Sequence, residues 1–373
     1  MINKILSSNK IFDSTEKIRS VLGSGPLIIF GAGNIGREVL ASLRSHGFNP
    51  IIFAVDKKPS ESVVVDGVQV LSLDDALKSI DKNPIIVCSI YSPGHKFVAT
   101  KERLLSACPS AEIYSFLTVL LAIEEKKFKK YFFIHPDFER DNFEKYEEIY
   151  NKLEDKKSRE TLASHLRLRL LHDFSIEAAP RTCCPLPNIL SHNGNLSYVD
   201  GGAYDGDTII DFISSRGEFS QIWGIEPDSY NRVRMENRLS MLYPGSILSK
   251  ISIVPKVLWR STDGIGFNES GNMGSSISPN SSSRYDSISI DNLLSGTDSN
   301  TLIKLDVEGA EMDVLAGAMK TTHRLRPTWA ISAYHNPNDL VDIFSWLERT
   351  KQGYKYGLRC YGGDGSDLMI YAW

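Results

Sequence analysis

Along the chain, short unbroken apolar runs alternate with stretches in which apolar residues recur every three or four positions. This is the pattern of buried parallel strands joined by amphipathic helices. The first passage runs from the apolar residues 26–30 (PLIIF) into a glycine-rich turn at 31–36 (GAGNIG). A predicted helix follows to His46, with Val39, Leu40 and Leu43 on one face and Gly47 closing it. Strands are predicted at 50–55, ending on Asp56, and at 85–89, with a helical patch at 74–80 between them. Residues 1–120 therefore read as a doubly wound α/β domain of Rossmann type.

From about residue 121 to 182 the pattern changes. Charges crowd at 124–127 and again over 137–157, interleaved with Phe, Tyr and Leu at helical spacing, which predicts connecting helices. The run Cys183, Cys184, Pro185, Leu186, Pro187 breaks that pattern. From 183 to 373 a second alternation begins. Strands are predicted at 196–199, 221–225, 251–254, 301–305 and 329–334, with helices after 207 and over 229–242, 310–319 and 339–351. Residues 354–361 and 368–373, joined by a glycine-rich turn at 362–365, predict a terminal antiparallel hairpin on a mostly parallel sheet. The polar stretch at 271–283 reads as a loop, and 285–292 as a strand-like return.

Composition narrows the function classes. In 373 residues, 42 Lys and Arg stand against 46 Asp and Glu, a net charge of −4, which leaves no basic footprint for nucleic acid. No apolar run approaches the roughly 18 residues of a membrane helix. The first residues, MINKILSSNKIFD, lack a signal-peptide core. A soluble, cytoplasmic protein without a membrane span is expected, and a homo-oligomer is left open. Five scattered cysteines, Cys88, Cys108, Cys183, Cys184 and Cys360, read as reduced thiols.

Both halves place a glycine-rich turn after a strand and an acid at the end of the next strand, the arrangement that brings backbone N–H groups and a ribose acceptor to a nucleotide. In the first half the candidates are Gly31, Gly33, Asn34, Gly36 and Asp56. No Tyr-x-x-x-Lys pair suited to hydride transfer follows. In the second half the turn carries three acids, Asp200, Asp205 and Asp207, with Glu226 ending the next strand. Three acids make a poor cradle for pyrophosphate and suit a cationic ligand without phosphate, such as S-adenosylmethionine. Asp306 and Glu308 follow the 301–305 strand and His335 the 329–334 strand, so two carboxylates and an imidazole are expected to converge on one rim. They could act as a general base with its orienting acid, His335 titrating near 6.5 with Asp306 behind it, or as ligands to Mg²⁺ or Mn²⁺. Glu308 and Glu311 equally fit the N-terminus of the helix after Ala310.

The three segments 199–208 (VDGGAYDGDT), 225–228 (IEPD) and 303–311 (IKLDVEGAE), in that order, resemble the FkbM-type methyltransferases. The resemblance covers about residues 190–373. It implies a class I fold that transfers a methyl group from S-adenosylmethionine to a hydroxyl, on a sugar, nucleotide-sugar or glycan acceptor in polysaccharide or natural-product biosynthesis. It places the methionine moiety against Asp200, Gly201, Gly202, Ala203, Tyr204 and Asp205, the ribose against Glu226 beside Pro227, and the adenine near 256–259 and 274–276. The first half, with 53–59 (FAVDKKP) and 65–71 (VDGVQVL), resembles small Rossmann-type domains fused to sugar-modifying enzymes, which bind a nucleotide or nucleotide-sugar or act as scaffold. The alternative reading is an assembly protein that binds a nucleotide or nucleotide-sugar in its first domain and carries a vestigial transferase site.

Overall fold

Leu27 and Ile29 point to one face of their strand while Ile28 and Phe30 point to the other, and both sets are buried in separate apolar clusters. A strand covered on both faces must be apolar throughout, which is why this segment shows no alternation. In the computed structural model the residues described are 10–57, 59, 61–90, 95–123, 138, 141–171, 173–174, 179, 196–271, 275–278, 281, 283–362 and 367–373. The Cys183–Pro187 break, the charge run at 124–127, Gly274 and the turn residues 363–365 lie outside them.

The chain divides into two compact units. The first holds Met1–Phe143, Thr161–Ala178 and Gly362–Ser366. Its strands are β1 (Leu27–Phe30), β2 (Ile52–Val55), β3 (Val63–Val65), β4 (Val68–Ser72), β5 (Ile85–Cys88) and β6 (Glu112–Ser115), in the order β3-β4-β2-β1-β5-β6. All pairs are parallel except β3 with β4, whose two-residue turn Asp66-Gly67 has both residues at positive φ, as a tight hairpin requires. The helix Asn34–Ser45 starts against the strand because Gly36 has no side chain: a Cβ there would lie 2.1 Å from the Gly31 carbonyl oxygen.

The second unit holds Glu144–Glu160, Ala179–Tyr361 and Asp367–Trp373. Its main strands are β7 (Leu196–Gly201), β8 (Phe219–Ile225) and β9 (Ile251–Val254), followed by the short β10 (Val257–Leu258), β11 (Ile265–Asn268), β12 (Ser276–Ile277), β13 (Arg284–Tyr285) and β14 (Ser287–Ile288). Then come β15 (Thr301–Leu305), β16 (Thr328–Ser332), β17 (Tyr356–Cys360) and β18 (Leu368–Ala372). The seven-stranded sheet runs β17-β18-β16-β15-β7-β8-β9, parallel from β16 to β9 and antiparallel through the terminal hairpin, as expected. Strand order reverses between β7 and β15, so the carboxyl ends of these two strands flank the crevice where open α/β sheets take ligands.

Some segments differ from the sequence-based expectation. Ser276–Ile277, inside the expected loop, form β12 and pair with β11, since the backbone supplies the bonds, and the expected strand-like return at 285–292 ends in a short helix, Ile290–Leu293. The predicted helix over 310–319 is two helices, Glu311–Ala316 and Met319–Leu325, broken at Gly317, where a Cβ would sit 2.9 Å from the Arg260 Cα. Among the described residues no helix is long and apolar enough to cross a membrane.

Candidate functional site

The turn after β7 is built from backbone conformations that side chains resist. Gly202 has φ +77, and a Cβ there would lie 1.9 Å from the Asp306 carbonyl oxygen. Gly206 also has positive φ, as does Tyr204 at 49°. A non-glycine residue in this region costs of order 1–3 kcal/mol and persists where its surroundings over-determine it. Here the Tyr204 N–H donates to Glu226 Oε2 at 2.9 Å, and Arg234 lies 5.2 Å from the Tyr204 ring centre. The turn then feeds the helix Asp207–Arg216.

Glu226, at the end of β8, is 5% exposed; Oε1 accepts from the Asp228 N–H at 2.9 Å and from Asn231 Nδ2 at 3.4 Å. Burial pushes its carboxyl above the usual range against those donors. A carboxylate offers about four lone-pair sites, so acceptor capacity remains toward the adjoining cavity. Asp228 caps the helix Ser229–Leu242 through Oδ1, while its Oδ2 accepts from the N–H groups of Ser270 and Gly271 and from the Ser275 hydroxyl. Burial opposes its charge, but these donors outweigh it and hold the carboxyl below its ordinary range. One side chain thus ties Ser270, Gly271 and Ser275 to the helix start.

Between β7 and β15, Lys304 and Asp200 are directly paired in the ladder. The Lys304 ammonium donates to Asp200 Oδ1 at 3.0 Å and to the Gly202 carbonyl at 3.1 Å, and the Thr208 hydroxyl donates to Asp200 Oδ2. Burial works against the ammonium, but Asp200 and Asp306 outweigh it and keep Lys304 above the normal lysine range. Beyond β15 the chain passes Glu308 (φ 53) and Gly309 (φ 93) before the helix Glu311–Ala316. Asp306 Oδ1 accepts from the Ser332 hydroxyl at 2.7 Å and the Tyr334 hydroxyl at 3.4 Å.

His335 follows β16. Its Nδ1 is 3.0 Å from Oε1 of the fully buried Glu311, and that same oxygen accepts from the Val307 N–H at 2.9 Å. Its Nε2 lies 3.6 Å from Asp306 Oδ1 and 3.8 Å from Glu308 Oε2. Burial disfavours the charged ring, but Glu311, Asp306 and Glu308 together raise it to about 10. With protein groups alone the ring is protonated near neutrality, so the structure does not provide the neutral imidazole expected to titrate near 6.5. Burial raises the Glu308 carboxyl to about 7, His335 opposing and Asp306 and Glu311 adding to the rise.

Several of these groups line a cavity that opens to solvent. Gly202, Tyr204, Glu226, Pro227, Asp306 and Glu308 line it, and so do Asp207, Thr208, Lys304, Tyr334 and Asp367. Val257, Leu258, Phe267 and Ile277 form its apolar wall, with Ser275 beside them, in the region expected for an adenine. Asp200 and Ala203 are 0% exposed and Gly201 is buried, so they lie beneath the cavity. Asp205 pairs with Arg238 instead. Of the three acids in the turn, Asp207 alone is on the wall, and Glu226, Asp306, Glu308 and Asp367 supply the rest of the cavity's acidity. Sequence reasoning gave no role to Lys304, Thr208 or Tyr334; Lys304 carried a signal, since a lysine inside the apolar run TLIKL needs a buried partner.

In the first unit, Gly31 and Gly33 lie in the turn between β1 and its helix, and Asn34 and Gly36 in the helix's first turn. Gly33 faces open space, whereas Asp56 is paired with Arg103 at 2.6 Å.

Five parallel strands, an antiparallel terminal hairpin and a cavity at the switch point make the second unit a class I methyltransferase fold. Residues 200–356 match the family model of the methyltransferase FkbM domain. The methyltransferase FkbM of Methylobacillus flagellatus KT shares the fold, with a TM-score of 0.79 at 20% identity over 97% of this chain and 98% of that one. An rRNA methylase of Streptococcus thermophilus aligns with a TM-score of 0.29 at 12% identity, over 55% of this chain and 94% of that one.

Proposed function

We propose that this chain transfers a methyl group from S-adenosylmethionine to a hydroxyl of a sugar, nucleotide-sugar or glycan, in polysaccharide or natural-product biosynthesis. The observation that carries this reading is the cavity wall itself. Its lysine is already paired with Asp200, its other charged groups are carboxylates, and one side is apolar. Such a wall disfavours a phosphate and suits a cationic ligand with a flat heterocycle. The residues present fit S-adenosylmethionine: Gly202 lets the backbone come close, Glu226 retains acceptor capacity for ribose hydroxyls, and Val257, Leu258, Phe267 and Ile277 supply apolar contact for the adenine. When bound, that cofactor supplies a methyl carbon activated by its sulfonium.

The chain's own task is to orient the acceptor, exclude water and take the hydroxyl proton. Asp306 and Glu308 face the cavity and are the groups that receive it. Ser332 and Tyr334 orient Asp306, and a charged His335 between the two carboxylates lowers their repulsion.

Isothermal titration with S-adenosylhomocysteine tests the donor site. Saturable binding by wild type is expected, weakened at least tenfold in Glu226→Ala; no heat with wild type, or equal affinity in both, overturns the reading. A mass-spectrometric screen of nucleotide-sugars and oligosaccharides for a gain of one methyl group then identifies the acceptor. The first unit is proposed as a nucleotide or nucleotide-sugar module, supported by the open face of Gly33 at a helix start with no side-chain cap. A nucleotide-sugar bound there without any binding of S-adenosylhomocysteine would instead favour the assembly-protein reading with a vestigial transferase site.

A further inference from the structure

His335 Nε2 is a buried polar atom with no hydrogen-bond partner, on a side chain 10% exposed. The oxygens it faces, Asp306 Oδ1 at 3.6 Å and Glu308 Oε2 at 3.8 Å, are too far for a direct hydrogen bond. They are close to the spacing between two ligands of one metal ion, about 3.0–3.5 Å when each bond is about 2.1 Å. On the opposite side of the ring, Nδ1 meets Glu311 Oε1 at 3.0 Å. An imidazole whose far nitrogen is held by a buried carboxylate while its near nitrogen faces further carboxylates is the carboxylate–histidine arrangement that orients metal-bound histidines. Glu311 is fixed for that task, because the same oxygen accepts from the Val307 backbone. The Glu311 Oε2 is likewise buried without a partner.

We propose that one divalent cation of the Mn²⁺ or Zn²⁺ type displaces the proton of His335 Nε2 and binds there with Asp306 and with the partly exposed Glu308 turned inward, Glu311 positioning the imidazole. The nitrogen donor selects for these ions over Mg²⁺, which prefers an all-oxygen shell. The left-handed backbone at Glu308 and Gly309 carries the chain around the rim, and Asp306, Glu308 and Tyr334 line the cavity through which the ion and an acceptor oxygen enter. An ion here would take the acceptor hydroxyl as a ligand and lower its pKa, so that a nearby carboxylate receives the proton more easily. The proposal deepens the methyl-transfer reading, yet its test needs no methyl donor, so failure of the S-adenosylhomocysteine titration and failure of the metal titration are separate outcomes.

The test titrates the full chain, stripped with EDTA and dialysed, with MnCl₂, ZnCl₂ and MgCl₂ in turn, followed by calorimetry and, for Mn²⁺, by electron paramagnetic resonance. One saturable site is expected, with Mg²⁺ weakest, and pulsed spectra of the Mn²⁺ complex should show coupling to one imidazole nitrogen. That coupling should vanish in His335→Gln. Glu311→Gln should retain one site but weaken it 10–100-fold. Glu308→Gln, at a rim position 40% exposed, should weaken it about tenfold. Absence of saturable binding by folded wild type, tighter binding of Mg²⁺ than of Mn²⁺, or unchanged nitrogen coupling in His335→Gln would overturn the proposal.

Discussion

The buried Lys304–Asp200 pair gives the sharpest prediction. At 3.0 Å, with an effective dielectric of about 20, the attraction is about 5.5 kcal/mol. Removing each ion from water costs several kcal/mol, so the intact pair nets little against an apolar replacement of similar volume. Deleting one member is different, because it strands the other at 0% or 6% side-chain exposure. Lys304→Met should therefore lower the unfolding free energy by about 3–5 kcal/mol. Asp200→Asn should cost somewhat less, since the amide oxygen can still accept from Thr208 or Lys304. The double variant should recover part of the loss, with a coupling energy of about 2–3 kcal/mol.

Urea denaturation of the four proteins, monitored by far-UV circular dichroism, supplies the cycle. Single costs that add to within about 0.5 kcal/mol in the double variant, or a cost below about 1 kcal/mol for Lys304→Met, would refute the reasoning. A second readout separates stability from site geometry. Lys304 also donates to the Gly202 carbonyl, and the double variant has no replacement for that bond. Affinity for S-adenosylhomocysteine should consequently stay reduced in the double variant even where stability returns.

Gly202→Ala should abolish cooperative folding of the second unit, because its Cβ would lie 1.9 Å from the Asp306 carbonyl at a φ of +77; a normal thermal melt would contradict the close approach. In the first unit, Gly36→Ala should unfold or severely destabilise the turn while Gly33→Ala, facing open space, should change stability by no more than about 0.5 kcal/mol; equal effects in urea denaturation would count against the packing described. His165 is fully buried, and neither ring nitrogen has a hydrogen-bond partner. Burial, with Arg169 adding, holds it well below its ordinary value. The unfolded chain then binds more protons below about pH 6.5, so stability should fall as pH drops through that value, by up to about 1.4 kcal/mol per pH unit. His165→Leu should remove that slope, and equal losses for both proteins between pH 7.5 and 5.5 would sink the argument.

How much of this was legible in the sequence depends on how local each signal is. The glycine turns at 31–36 and 201–206 could be read because the backbone conformation they impose is a property of a few adjacent residues. Helix 229–242 matches its predicted limits for the same reason: Asp228 supplies the cap and the apolar spacing does the rest. Most strands of the seven-stranded sheet were legible as short apolar runs, with Asp200, Glu226 and Asp306 at the ends of β7, β8 and β15, but their order in the sheet was not. By contrast, the pairing of Asp205 with Arg238, or of Lys304 with Asp200, joins residues that the sequence separates widely, and nothing in either neighbourhood names the partner. The two-residue strand β12 and the start of β13 lie in or beside a serine-rich segment that carries no alternation, although Tyr285 falls in the expected strand-like return. They form because β11 offers unpaired backbone on both edges.

The acids show what this distinction means for function. Their density at 200–228 and 306–311 was visible, and some of them line the cavity, but it did not reveal their division of labour. Asp200 anchors a lysine beneath the floor, Asp205 meets an arginine, Asp228 fastens a loop to a helix, and Glu311 holds a histidine. Those four are bound to protein donors, while Glu226, Asp207, Asp306 and Glu308 line the cavity. A buried carboxylate bound to protein donors stabilises the charge of its partner, whereas one facing a cavity spends its remaining acceptor capacity on whatever enters. The proposed preference for a cationic, phosphate-free ligand therefore rests on different residues from those that first suggested it: on Glu226, Asp306 and Glu308 at two strand ends, rather than on the turn that carries Asp200 and Asp205.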